Sequence, residues 1–320
     1  MTQPHELVSD WPIDIAGGKR SRTTMVWKIL KASFEGDFKM VQEMVNECPE
    51  LAYAQFNYTP PIYFAVREGH VKIVNYLLER GAWDPAYRTY PFRDNLITMA
   101  EERKNVEIAS QLKAYAAITN LDGFKGDNGE IHFPRTTLQQ EFEEAVDKEN
   151  IDAVTIMLQQ NPELANDPTY FWGEGILLMP AKEANIQLME LLLRHGAIFP
   201  AISKWPHAYY FETYEGASFI LENGMSPNHK TWQELTILHY MAQKGKLEIA
   251  GLLIRHGADL NAIDDEYKST PLGLAARCGQ TAMVKYLLES GADPSKADGD
   301  WATPLAWARA KNFNDIIELL

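Results

Sequence analysis

The chain of 320 residues is poor in cysteine, in cationic side chains and in long apolar runs. Its only two cysteines, Cys48 and Cys278, lie far apart. They form neither a disulfide framework nor a metal-ligand spacing, and both fall in apolar helical patterns that predict buried, reduced thiols. No stretch approaches the roughly 18 uninterrupted apolar residues that a membrane helix needs. The opening "MTQPHELVSDWPIDIAGGKRSR" has no apolar signal core, so a cytoplasmic address without membrane contact is expected. Lys and Arg number 30 against 44 Asp and Glu, a net charge of −14. That balance argues against sequence-independent nucleic-acid binding, which needs a basic surface to displace phosphate counterions. A basic or neutral partner is permitted.

Catalytic signatures are missing too. There is no H-E-x-x-H, no glycine-rich phosphate loop, no G-x-S-x-G and no Cys-x-x-Cys. Asp122, Asp127, Asn128 and Glu130 cluster, but without the alternation and closing glutamate of a calcium loop. Glu141, Glu143 and Glu144 read as a solvated helix face. Neither an enzyme, a cofactor nor a metal site is expected, although residues distant in sequence could assemble a site that no motif reveals.

What is present is a repeat. "STPLGLAARCGQTAMVKYLLESGADP" from Ser269 aligns position by position with "LTILHYMAQKGKLEIAGLLIRHGADL" from Leu235 and with "PPIYFAVREGHVKIVNYLLERGAWDP" from Pro60. Gly69, Gly245 and Gly279 are each followed twelve residues later by Gly81, Gly257 and Gly291. Along the chain the first of these positions is Gly36, Gly69, Lys104, Glu149, Ala184, Glu212, Gly245, Gly279 and Asn312, at steps of 33, 35, 45, 35, 28, 33, 34 and 33 residues. In one repeat Thr270 is placed to cap a helix that Pro271 opens, because the first helical amide has no intrahelical partner to lose. Gly279 ends that helix, and Val284, Leu287 and Leu288 give the next one an apolar stripe. Neither helix is long enough to stand alone, so neighbouring repeats must stack to bury a core.

"TPLGLA" from Thr270, "TPLAWA" from Thr303 and "TILHYM" from Thr236 carry a signature that resembles the ankyrin repeat family, over roughly residues 24–320. The resemblance implies an all-α solenoid of about nine stacked helix-turn-helix repeats with finger loops and a concave face. It further implies a non-catalytic protein-binding role, with His70 and His239 as structural histidines. His195 and His256 share the slot "RHGA" at helix ends.

The irregular steps mark departures. The 45-residue step holds extra residues around Asn128-Gly129, a hairpin-turn signal. The expected organisation is therefore an N-terminal tail over 1–23, three repeats over 24–120, a hairpin insert over 121–134, and six repeats over 135–320, two subarrays with a shallow hinge at the insert. The 28-residue step leaves a degenerate sixth repeat, "KWPHAYYFETYEG" from Lys204, dense in aromatic rings.

Two rows of side chains have no core duty in the family pattern. The variable signature position reads Phe64, Met99, Met179, Tyr240, Leu274 and Trp307, and the finger tips read Tyr58, Phe92, Trp172, Trp232, Tyr267 and Trp301, with Trp205 at a cap. Either these rings pack on one another, or they line a groove edged by Asp264, Asp265, Glu266, Asp298 and Asp300 and suited to a peptide with apolar anchors and basic flanks. A second reading is a small-ligand pocket around Trp205, His207 and Tyr210. The candidate binding residues are Phe92, Trp172, Trp205, His207, Tyr210, Trp232, Tyr240, Tyr267, Trp301 and Trp307. A monomer is expected, with weak self-association at the C-terminal end, where Trp307 and the last leucines have no following repeat to cover them.

Overall fold

The computed structural model describes residues 1–15, 19–89, 93–117, 135–204 and 209–320. The chain divides into two compact bodies, Gln3–His132 and Phe133–Leu320, the second taking in Met1 and Thr2. The hairpin expected over 121–134 lies outside the described residues, as do Phe92, Trp205 and His207.

The N-terminal body begins with α1 (His5–Val8) and an antiparallel pair, β1 (Pro12–Ile15) and β2 (Lys19–Arg22), in which Ile13 faces Ser21 and Ile15 faces Lys19. These elements lie in the segment read from the sequence as an N-terminal tail. Leu7, Ile13 and Ile15 are buried, so the segment contributes core. The alternating isoleucines were its signal, too short to stand out. Three helix pairs follow: α2 (Thr23–Glu35) with α3 (Phe38–Glu47), α4 (Pro61–Arg67) with α5 (Val71–Leu78), and α6 (Leu96–Glu102) with α7 (Val106–Ala116).

The C-terminal body continues the pattern with α8 (Thr137–Asp147) and α9 (Ile151–Gln160), then α10 (Leu178–Lys182) and α11 (Ile186–Arg194). In the sixth repeat, among the described residues, a 3-10 turn, Tyr209–Phe211, stands before α12 (Tyr214–Glu222). The remaining pairs are α13 (Ile237–Lys244) with α14 (Leu247–Arg255), α15 (Pro271–Arg277) with α16 (Thr281–Glu289), and α17 (Pro304–Lys311) with α18 (Asn314–Ile317). The short sixth repeat brings α12 close to α10: a Cβ on Gly216 would lie 2.4 Å from the Ala181 carbonyl oxygen. No side chain larger than hydrogen fits there.

The repeat frame read from glycines is a backbone conformation. Gly36, Gly69, Gly245 and Gly279 are left-handed, and so are Lys104, Glu149, Ala184 and Asn312 at the equivalent places, with φ between 55° and 80°. Glu212, in the deformed sixth repeat, is not. Four ordinary residues therefore accept a conformation that costs them about 1 kcal/mol or more, because the turn between the two helices requires it.

The predicted caps form. Thr270 Oγ1 accepts the Gly273 amide at 3.3 Å, and Thr303 Oγ1 accepts that of Ala306 at 3.2 Å. Successive repeats are also joined by buried polar links. His239 is fully buried, and its Nε2–H donates to the Ser269 carbonyl at 3.1 Å while Nδ1 faces the Thr236 hydroxyl at 2.7 Å. A carbonyl can only accept, which fixes the ring as the Nε2-protonated tautomer. One repeat later Gly273 replaces the histidine, and Ser269 Oγ instead donates to the Ala302 carbonyl at 2.8 Å. The link is conserved in role and changed in chemistry.

Candidate partner-binding site

Of the described aromatic residues in the two rows, half are interior and half retain exposure. Trp232, Tyr267 and Trp307 are each 1% exposed, and Phe64, Met99 and Leu274 are buried as well. Trp307 forms the centre of a stack. Its ring meets Trp301 edge-on at 5.5 Å and Tyr267 at 6.3 Å, and its Nε1–H donates to Ser269 Oγ at 3.3 Å. The Arg277 guanidinium closes the stack, 4.3 Å from the Tyr267 ring and 5.3 Å from that of Trp307. The expectation that Trp307 lies uncovered is therefore corrected: rings from its own and the preceding finger cover it. Of the terminal leucines, Leu319 is 40% exposed.

The acidic edge is corrected in part. Asp264 is buried and accepts the amides of Tyr267 and Ser269 at 2.6 and 3.2 Å, so it shapes the finger turn and is no rim charge. Glu266 is buried too. Asp265 and Asp298 remain near the surface, bridged by Lys268 at 3.8 and 3.7 Å. Cys48 and Cys278 are half-buried, where full burial was expected. Glu143, taken as solvated, is an anchor: it pairs with Arg135 and accepts the Phe171 amide.

That anchor holds the finger of the fourth repeat in an unusual turn. Phe171 and Trp172 are consecutively left-handed, with φ of 44° and 61°. Phe171 points into the core and Trp172 outward, 50% exposed. Bulky residues adopt this backbone only where surrounding contacts impose it, and such strain gathers at functional surfaces. Asn57 and Tyr58 in the N-terminal body repeat the motif, with φ of 50° and 60° and Tyr58 43% exposed. Neither left-handed pair contains a glycine, although Gly173, directly after Trp172, is left-handed as well, with φ of 87°.

Tyr240 is half-buried, with the Lys244 ammonium 5.6 Å from its ring centre. Burial raises its phenol pKa, and the nearby Glu212 and Tyr209 raise it further. Tyr240 therefore sits beside the 3-10 turn of the sixth repeat, on a partly exposed polar and aromatic patch. Tyr210 from the same turn is buried, and its hydroxyl donates to the Glu174 carbonyl at 2.7 Å. Burial holds that phenol well above its ordinary pKa. Its hydroxyl is committed to structure, which leaves the small-ligand reading without Tyr210 as a contact.

Two titratable groups near this turn escaped the sequence reading. Ser203 Oγ lies 2.7 Å from His229 Nε2 with both residues buried, and burial lowers the His229 pKa to about 4. Lys204, whose amide donates to Glu174 Oε1 at 2.6 Å, has its amine lowered to about 8 by burial. The serine–histidine pair joins the finger segments: the Ser203 amide donates to the Lys230 carbonyl and the Trp232 amide to that of Ser203. Closed in this way, it reads as a staple between loops.

Comparison with known proteins agrees with this architecture. A family model described as ankyrin repeats in three copies matches residues 207–298, and a single ankyrin repeat model matches residues 58–90. The ARF GTPase-activating protein Git of Drosophila melanogaster is 41% identical over 83 residues, covering 26% of this chain and 11% of that protein. Palmitoyltransferase ZDHHC17 of Homo sapiens is 31% identical over 93 residues, covering 29% of this chain and 15% of the relative. The matches thus span a small fraction of these relatives' length. A crystal structure of an ankyrin repeat domain from Acinetobacter baumannii is 23% identical and covers 57% of this chain and 96% of its own, with a TM-score of 0.47. No helix among the described residues is long and apolar enough to cross a membrane.

Proposed function

We propose that this chain, which is an ankyrin-repeat protein, works as a non-catalytic scaffold that binds a protein or peptide partner on the face made by its first helices and fingers. Ankyrin repeats as a class suggest protein–protein interaction. The reading narrows that class to the aromatic side chains left accessible: Trp172, Tyr240 and Trp301 in the C-terminal body. The observation that carries it is Trp172, half exposed on a left-handed backbone that Glu143 and Arg135 hold in place. A loop under no functional demand would carry glycine or a small polar residue at positions 171 and 172 as well as at Gly173. The exposed carboxylates Asp298 and Asp300 favour a partner segment with basic residues beside its apolar anchor. Trp232, Tyr267 and Trp307 support this surface from beneath and make no direct contact.

The test compares the wild type with the triple variant Trp172→Ala, Tyr240→Ala, Trp301→Ala in pull-down from native lysate, with urea unfolding as control. A stoichiometric partner lost by a variant of unchanged stability supports the reading. A partner retained at full occupancy removes it.

A further inference from the structure

The second helices of the C-terminal body carry an open cleft of about 520 Å³, lined by Tyr214, Leu247, Glu248, Gly251, Arg255 and Tyr286. It lies on α12, α14 and α16, away from the first-helix and finger surface considered above. Leu247, Gly251 and Arg255 are spaced by four along α14 and so share one face, with Glu248 on the adjoining edge. Glycine in a helix interior is unfavourable by about 0.5–1 kcal/mol relative to alanine, so its presence at the centre of this face needs a reason. A Cβ at Gly251 would lie 2.8 Å from the Tyr286 hydroxyl and 3.5 Å from Arg255 Nη1. Gly251 therefore makes the floor over which those two groups converge.

The converging groups share a chemistry. Arg255 Nη2 donates to the Tyr214 hydroxyl at 2.9 Å. A guanidinium and two phenolic hydroxyls thus ring the space above Gly251. Tyr214 is 48% exposed and Leu247 38% exposed, so the ring opens to solvent beside an apolar patch. Among the described residues Arg255 has no carboxylate partner, and its one bond is to a neutral oxygen. Neighbouring Lys285, by contrast, has Glu289 at 3.9 Å.

We infer that this cleft is a second docking site, which receives an aspartate or glutamate side chain of a protein partner on Arg255, Tyr214 and Tyr286, with an adjacent apolar residue of the partner resting on Leu247. A planar carboxylate pairs with the guanidinium edge and can accept from a hydroxyl on its other oxygen. A monoanion is favoured over a phosphate dianion because the cleft offers one cation and carries the Glu248 carboxylate on its rim. This site is independent of Trp172, Tyr240 and Trp301.

Phenylacetate, a carboxylate with an apolar body, is the probe. Titrated into the isotope-labelled 320-residue chain, it is expected to shift the Gly251 amide and Leu247 methyl resonances saturably in the millimolar range. Arg255→Ala should weaken the response about tenfold or more, in keeping with loss of a charge-assisted bond, and Tyr286→Phe by a few-fold. Arg255 is exposed, so its replacement leaves the fold intact, and thermal melting checks this. The inference is overturned if phenylacetate gives no saturable shift, if Arg255→Ala binds it undiminished, or if inorganic phosphate binds the cleft more tightly.

Discussion

The Ser269 hydroxyl occupies the space that a side chain on Gly273 would need: a Cβ there would lie 1.9 Å from Ser269 Oγ. The two positions form one solution. In the preceding repeat a histidine ring reaches the next finger, whereas here the glycine clears the way for a serine that makes the equivalent link to Ala302 and accepts from Trp307. Gly273→Ala should therefore destabilise the C-terminal body by about 1–3 kcal/mol through overpacking, and Ser269→Ala by about 1–3 kcal/mol through its unpaired buried partners. The double variant should cost clearly less than the sum, since one change removes the clash that the other creates. Urea unfolding of all three variants measures it, and strict additivity would contradict the geometry.

Ala184, Glu149 and Lys104 hold left-handed turns that glycine holds elsewhere in the array. Ala184→Gly relieves that strain without removing any side-chain hydrogen bond. It should raise stability by about 0.5–1 kcal/mol, the backbone relief being partly offset by the greater freedom of an unfolded glycine. A thermal melt showing a lower midpoint would refute this.

Acid should loosen the C-terminal body at a defined point. His229 is neutral when folded, with its pKa lowered from 6.5 to about 4 by burial, and buried His239 is shifted in the same direction. Between pH 6.5 and 4 the unfolded chain takes up protons that the folded chain refuses, so stability is present above pH 6.5 and is lost as the pH falls toward 4. The loss attributable to His229 is on the order of 3 kcal/mol. His229→Gln should flatten the dependence of unfolding free energy on pH across this window, and an unchanged slope would show that the ring is not the titrating group.

Burial separates the tryptophans into two roles. Trp232→Ala and Trp307→Ala should each cost about 3–5 kcal/mol, because each leaves a cavity the size of an indole ring. Trp172→Ala, at a half-exposed tip, should shift stability by less than about 1 kcal/mol. Parallel urea curves distinguish these outcomes, and equal losses at all three sites would remove the case for a surface role of Trp172.

Much of the architecture was legible before any coordinates. The spacing of glycines marked the turn between paired helices, the Thr-Pro dipeptides marked their starts, and the shortened sixth step marked the deformed repeat. These are local signals, because caps and left-handed turns are decided by a few neighbouring residues. The sites were less legible. Two rows of aromatic residues at equivalent positions could line a groove or fill a core, and periodicity is the same in both cases.

The sequence by itself determined the repeat frame, the helix ends, and the absence of recognisable catalytic motifs. Tertiary structure alone decided that Trp307 is roofed by Trp301, Tyr267 and Arg277 while Trp172 stands outside, that Asp264 serves two amides, and that Tyr214, Arg255 and Tyr286 converge over Gly251. Each of these depends on residues brought together from different repeats or fingers. Exposure belongs to the stacked array, and a single repeat's pattern cannot carry it.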